Sequence, residues 1–498
     1  MLVKMFGFIA LLLFLSACGG NAVEIEPSNG ADYEAKVYDP DNALPEAEYT
    51  PVYVPAPTPT PTPTPRPATP PPFLPLDHDC DPYRASVICH TCAALLINMM
   101  EARFDWDDGE MWGVHLHGPF MFACPVTRQA AANRPDLYGV LARQPEGVYT
   151  GILPEGTLIG NTATWIFGEE WGMMTWTLVQ QRLPDVAQVV GIMAHELFHA
   201  WQRELFIGQP AGFQPLFHMH EADARVQVRI EMNALVHALR SGGAARREAA
   251  YIALAARNTR QQNAQITDLE IVMEMQEGTA VYTEMRVMMH EMSDKMDWME
   301  DYIERFYRGR SMHTFGYVTG ALYGLLLDAF NVNWQTDLHW NTDLAHKLRI
   351  ALGFDEFTLF TPFNALDLSR FNYEEIRAEE EAWVAALAQR EAEARRIFAL
   401  PLLRVNWFGD FIFGDDAGSM YIQGMRFLNY GTLIFESTFG RLYINDGFLW
   451  LGGTPMFWEV TTENMVKTPT GATGLGWELI LNPGYYIHAG DGYYEVRG

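Results

Sequence analysis

The apolar positions change their period along the chain, and each change marks a boundary. From Asp185 to about Phe398 they recur at helical spacing, which puts residues three and four apart on one face. "PDVAQVVGIMAHELFHAWQREL" is the first such run, with Pro184-Asp185 as a helix entry. "EADARVQVRIEMNALVHALRSGG" stops at a double glycine, and "DLEIVMEMQEGTAVYTEMRVMM" and "GYVTGALYGLLLDAF" follow. "YEEIRAEEEAWVAALAQREAEARRIF" is amphipathic, with its charge run as a solvated face. Upstream, Ser86 to Phe104 predicts a helix. "GVHLHGPFMFACPV" and "NTATWIFGEEWGMMTWTLV" predict strands, the second a hairpin turning at Gly168 to Gly172. From about Pro401, short aromatic and β-branched runs alternate with Gly, Asn and Asp turns, as in a separate all-β module. The expected class is α+β, without a regular repeat.

Two N-terminal segments follow neither period. Lys4 precedes an apolar run from Met5 to Leu15, then "LSAC". A basic start, a short apolar stretch and small residues are the layout of an export signal. A run of about 11 apolar residues is too short to span a bilayer. The cysteine at the cleavage point resembles a bacterial lipoprotein signal, which implies cleavage before Cys18, a lipid on its thiol, and tethering outside the cytoplasmic membrane. Pro55 to Phe73 is a Pro/Thr tract. Proline at every second position blocks helix and ladder alike and leaves an extended stalk. The expected division is a signal peptide over 1–17 and a disordered Pro/Thr-rich linker over 18–76. A helix-and-sheet part over 77–184, a helical part over 185–398 and a β-rich module over 399–498 complete it.

Composition narrows the partners. With 62 acidic and 34 basic residues the net charge is −28. Nucleic acid and anionic lipid heads both require basic patches, so neither is an expected partner by charge. Outside the cytoplasm, Cys80, Cys89, Cys92 and Cys124 predict two disulfides in one of three pairings. A redox or metal centre at Cys89 to Cys92, with His78 or His90, is the weaker reading, because no second pair of close ligands follows.

The chemistry concentrates in "MAHELFHAWQREL", residues 193 to 205. On a helix, Gln188, His195, His199 and Gln202 form one polar stripe between apolar neighbours. Two imidazoles on a buried helix need partners. They are either hydrogen-bonded core histidines or ligands of a Zn²⁺ ion. Glu196 lies one residue round and can act as a base on water without being a ligand, the HExxH arrangement of zinc metalloproteases. Catalytic zinc takes three protein ligands and keeps one open position. The third could be His218, His220, Glu221, Glu231 or Glu277. Glu277 is preferred. It precedes Gly278, which permits close packing, and Glu284 lies two turns on, on the same face. Glu284 could accept a hydrogen bond from a ligand histidine. Glu169 and Glu170 could bind a substrate amine, although a solvated turn explains them as well.

"HELFH" together with "EGTAVYTE" resembles the gluzincin metallopeptidases, above all the aminopeptidase N-like group with its later E-G-x-x-x-Y-x-E helix. Tyr317 to Asp328 resembles the helix that follows in the glycyl-aminopeptidase-like branch. Residues 110 to 330 resemble a group of uncharacterised bacterial exported peptidase-like proteins with "HGPF", "NTA" and "HELFH" in that order. The resemblance implies a zincin-like catalytic domain: a small β-sheet plus active-site helix, then a mostly α-helical subdomain. It implies one Zn²⁺ per chain on His195, His199 and Glu277, Glu196 as general base, and a peptide or protein substrate. Tyr317 is the implied oxyanion donor, with Tyr323 and His313 as alternatives. Two departures stand out. Glu277 follows His199 by 78 residues, so a helical insertion separates them, and the family's shorter spacing makes His218 the alternative third ligand. The G-x-M-E-N substrate strand is missing; "GNTA" stands in its place, so aminopeptidase activity is not expected. Asn161 to Ile166 could bind an extended peptide by strand addition. The rival readings are a zinc hydrolase of other amide or ester bonds, and an inactive protease-fold surface lipoprotein binding a ligand through its β-module.

Overall fold

The computed structural model describes residues 69–498, apart from residues 75–86 and short breaks at 126, 155–156, 158, 183–184, 206, 208–215, 265–267, 310–313, 355–358, 407–409, 423–424 and 453–456. Cys18, the signal peptide, His78, Cys80, His313 and most of the linker therefore lie outside the described residues. The linker's last described residues do pack. The guanidinium of Arg103 sits 4.0 Å from the Phe73 ring centroid, so the packed part begins ahead of Asp77.

After α1 (His90–Asp107) comes a small sheet of β1 (Phe120–Ala123), β2 (Gln129–Ala132), β3 (Ala142–Arg143), β4 (Tyr149–Ile152), β5 (Thr162–Ile166) and β6 (Glu169–Thr175). The strand order is β3-β4-β2-β1-β6-β5. β1 and β6 run parallel, and β5 is an antiparallel edge. The β5–β6 turn falls at Phe167-Gly168, not at "GEEWG". Both of these residues have positive φ, 56° and 86°, the conformation a tight two-residue hairpin turn demands. Glu169 and Glu170 are consequently strand residues.

α2 (Trp176–Arg182) leads to α3 (Val186–Gln202), the helix predicted at the site. Asp185 caps it by accepting from Gln188 N–H at 3.1 Å. α3 lies against the sheet: a Cβ added at Gly172 would stand 2.8 Å from Leu197 Cα. Val189, Val190, Met193, Leu197 and Phe198 are all buried there.

The stretch between His199 and Glu277 is largely α4 (Ala222–Arg240) and α5 (Gly243–Ala264). The helix expected at "DLEIVMEMQEGTAVYTE" is not uniform. α6 (Asp268–Met273) widens into a π-turn at Glu274–Gly278 and resumes as α7 (Thr279–Met288). α8 (Met292–Gly309), α9 (Gly316–Ala329), α10 (Leu344–Ala351) and α11 (Tyr373–Phe398) follow. α9 crosses the π-turn on glycines. A Cβ at Gly278 would lie 2.6 Å from both Gly316 O and Gly320 Cα, so only glycine permits the crossing.

From Leu402 to Arg497 the described chain is all β, with strands β7 (Leu402–Asn406), β8 (Asp410–Ile422), β9 (Met425–Ser437), β10 (Gly440–Gly452), β11 (Phe457–Thr461), β12 (Val466–Thr468), β13 (Gly471–Gly474), β14 (Trp477–Leu481), β15 (Tyr486–Ala489) and β16 (Tyr493–Arg497). Its own core includes Val405, Phe435, Leu442, Trp458 and Trp477. Mixed helix and sheet with a C-terminal all-β region agrees with the expected class.

Of the four cysteines expected to pair, Cys89, Cys92 and Cys124 are described. Cys92 is disulfide-bonded, and Cys80 lies outside the described residues. Cys89 is the N-cap of α1, its Sγ accepting from Cys92 N–H, and Cys124 is sealed in the core after β1. Among the described residues no helix is long and apolar enough to cross a membrane.

Candidate metal centre

One turn of α3 sets the His195 and His199 rings edge to face, with centroids 4.8 Å apart. The π-turn then supplies Glu277. Its Oε2 lies 3.6 Å from His195 Nε2 and 3.4 Å from His199 Nε2. Three donors on a tetrahedral ion with bonds near 2.0–2.1 Å stand about 3.3 Å from one another. The observed separations suit that geometry. His195, His199 and Glu277 together form a group able to hold a metal ion.

The surrounding electrostatics point the same way. Glu196 is wholly buried, and neither carboxylate oxygen finds a hydrogen-bond partner; Glu277 Oε2 finds none either. Buried carboxylates in that state need a cation. Burial pushes Glu196 up to about 7, against the pull of His195 and His199. Burial alone would depress His195, but Glu277 and Glu284 outweigh it and raise it to about 10. His199 is raised in the same contest, through Glu277. Glu277 is driven well below the carboxylate range, because the two histidines overcome its burial. A divalent cation can replace the protons that these imidazoles otherwise hold.

Glu284 is where the spacing put it, its Oε2 3.3 Å from His195 Nδ1. His199 Nδ1 faces Gln202 Oε1 at 2.9 Å, a contact that leaves Nε2 for a metal when Nδ1 carries the proton. Gln202 is fully buried and does more than line the stripe. Its Nε2 donates to the Gln276 carbonyl and to Thr279 Oγ1 at 3.1 Å, tying α3 to the π-turn. An amide three residues past His199, on the same helix face, is the sequence signal for that role.

Tyr317 is buried and stacks near-parallel to His195, with centroids 6.3 Å apart. The other candidates go elsewhere. Tyr323 donates to Glu231 at 2.6 Å. His218 Nε2 pairs with Glu270 at 2.7 Å, outside the metal group, so the alternative third ligand is occupied by a carboxylate. His220 faces Glu391 at 3.9 Å, Glu221 is exposed at the start of α4, and Glu231 pairs with Arg260 at 2.6 Å. Asn161 is buried and accepts from Thr175 N–H at 2.9 Å, anchoring the start of the β5 edge. Glu170, on the α3 side of β6, is raised by burial despite Arg203, 3.7 Å away.

The sequence reading missed a buried ionic cluster behind the π-turn. Arg257 grips Glu274 through two bonds of 2.6 and 2.8 Å. Arg260 grips Glu270 at 2.8 and 2.9 Å. Both arginines come from α5. No family model, curated protein or solved structure matches the chain.

Proposed function

We propose that the protein is a zinc-dependent metallopeptidase of gluzincin type on a zincin-like fold, lipid-anchored through Cys18 outside the cytoplasmic membrane. One observation carries the reading: Glu277 Oε2 meets the Nε2 atoms of both HExxH histidines at 3.4–3.6 Å, beside the buried base Glu196. His195, His199 and Glu277 would hold one Zn²⁺. The ion supplies Lewis acidity, which brings the pKa of water to about 7.

The chain's own residues do the rest. Glu196, buried beside the two histidines, takes a proton from the attacking water and later passes it to the leaving amine. Tyr317, beside His195, donates to the oxygen on which charge develops. The β5 edge offers unpaired backbone groups to an extended peptide. The intact base favours this over an inactive scaffold, since a binding protein has no use for an orphaned buried carboxylate. A zinc hydrolase of other amide or ester bonds would share the same nucleophile.

The test is metal analysis of the purified full-length chain with Glu196→Ala and Glu277→Ala, alongside digestion of a peptide library. The expected result is one zinc per chain, kept in Glu196→Ala and lost in Glu277→Ala, with cleavage lost in both. A metal-free wild type overturns the reading. Zinc without cleavage of any peptide returns the protein to the scaffold or non-peptide alternatives.

A further inference from the structure

The inserted helices α4 and α5 separate the two halves of the metal group in sequence, yet they pack directly behind its third ligand. We propose that Glu274, gripped by Arg257 and bonded to Thr319, is a positioning residue that sets the third metal ligand and the oxyanion donor together, which makes the insertion a working part of the site. The inference rests on the metallopeptidase reading for what is being positioned, and on geometry for the clamp itself.

The argument starts with the π-turn. A π-turn departs from ordinary helix geometry, and such turns concentrate at functional sites. Glu274 opens the turn and Glu277 lies inside it. The Glu274 carboxylate is buried and engaged on two sides. Arg257 binds both oxygens, and Thr319 Oγ1 donates to Oε1 at 2.6 Å. Thr319 belongs to α9, two residues beyond Tyr317. One carboxylate thus joins the segment bearing Glu277 to the helix bearing Tyr317. The glycine crossing removes slack between them: a Cβ at Gly320 would lie 2.7 Å from Glu274 O.

The cluster continues behind Arg257. Arg260 bridges Glu231 and Glu270, Tyr323 donates to Glu231, and His218 meets Glu270. Glu231 lies on α4 and both arginines on α5. Buried ion pairs of this kind are frequently no more stabilising than apolar side chains of similar volume. Their directional geometry is what apolar packing cannot replace. That separates positioning from mere support.

The experiment uses the full chain with three variants: the charge-free pair Arg257→Met with Glu274→Leu, the conservative Arg257→Lys, and Thr319→Val. Zinc affinity is read by chelator competition, the ligand set by the visible spectrum of the Co²⁺-substituted protein, and the π-turn by amide hydrogen exchange over residues 274–279. The charge-free pair is expected to fold, bind zinc about tenfold or more weakly and shift the cobalt spectrum, since orienting partners of metal ligands are worth about 10–100-fold. Arg257→Lys should recover part of the loss. Thr319→Val should keep zinc affinity and lower kcat about tenfold at unchanged KM. A folded charge-free pair with wild-type zinc affinity, cobalt spectrum and exchange overturns the clamp. If that pair does not fold, unchanged kcat and exchange in Thr319→Val overturn it. If the wild type binds no zinc, the functional reading fails by itself. Exchange over 274–279 then decides the clamp alone, with faster exchange supporting it and unchanged exchange rejecting it.

Discussion

Glu284 Oε2 stands 3.3 Å from His195 Nδ1, on the opposite side of the ring from Glu277. The carboxylate favours a proton on Nδ1 and leaves Nε2 directed at the metal position. Glu284→Gln should weaken zinc binding by about 10-fold to 100-fold without unfolding the chain. Chelator competition measures this, and unchanged affinity would remove Glu284 from the orienting role.

The protonation of the metal-free site predicts a pH dependence with a definite sign. His195 is raised to about 10 and His199 is raised as well, so their contribution is complete below the ordinary histidine pKa and is lost as pH rises toward 10. Glu196, raised by burial to about 7, adds a loss in the same direction. Glu277 is depressed, so its contribution is present above the ordinary glutamate pKa and is lost in acid. The chelated protein should therefore melt lower at pH 9 than at pH 6, and the zinc-loaded protein should show a smaller drop. A chelated Tm that rises between pH 6 and pH 9 contradicts this account.

Gly278 has backbone on its open side. A methyl group there would meet Gly316 O and Gly320 Cα at 2.6 Å, and neither can rotate away. Gly278→Ala should cost about 3 kcal/mol, the upper part of the range for overpacking, and should weaken zinc binding because Glu277 is the adjacent residue. Denaturant titration and metal analysis read the two effects separately. A variant as stable as wild type would show that α9 can move aside.

Tyr317 can be tested with a single atom removed. Tyr317→Phe keeps the ring against His195 and takes away the donor. The expected loss is about 10²-fold in kcat with KM nearly unchanged, as for other oxyanion donors. Steady-state kinetics on a cleaved peptide decides it. An equal kcat would return Tyr317 to a packing role.

Much of the site was legible because it is local. Asp185 as cap, His195 and His199 on one face, and Glu284 two turns from Glu277 all follow from helix geometry over a few residues. The hairpin turn was misplaced because "GEEWG" offers two glycines, while the chain turns at Phe167-Gly168, a non-glycine residue in the left-handed region followed by a glycine. The disulfide pairing was not legible because cysteine count carries no distance information; the structure puts Cys89 at a helix cap and Cys124 in the core. Arg257 and Arg260 were not legible as core residues, because arginine is rarely buried and burial here depends on carboxylates supplied by other segments.

By itself, the sequence determined the helix bearing His195, Glu196 and His199, the change to an all-β texture near Pro401, and a short list of candidates to join the two histidines. Periodicity and caps act over one or two turns, so these features needed no knowledge of the rest of the chain. Only the tertiary structure decided that Glu277 joins the histidines, that His218 goes to Glu270, and that the π-turn presenting Glu277 is bonded to Arg257 through Glu274. The physical reason is distance along the chain. Across 78 residues no local rule relates two side chains, and their approach is settled by how α4, α5 and α9 pack around the turn.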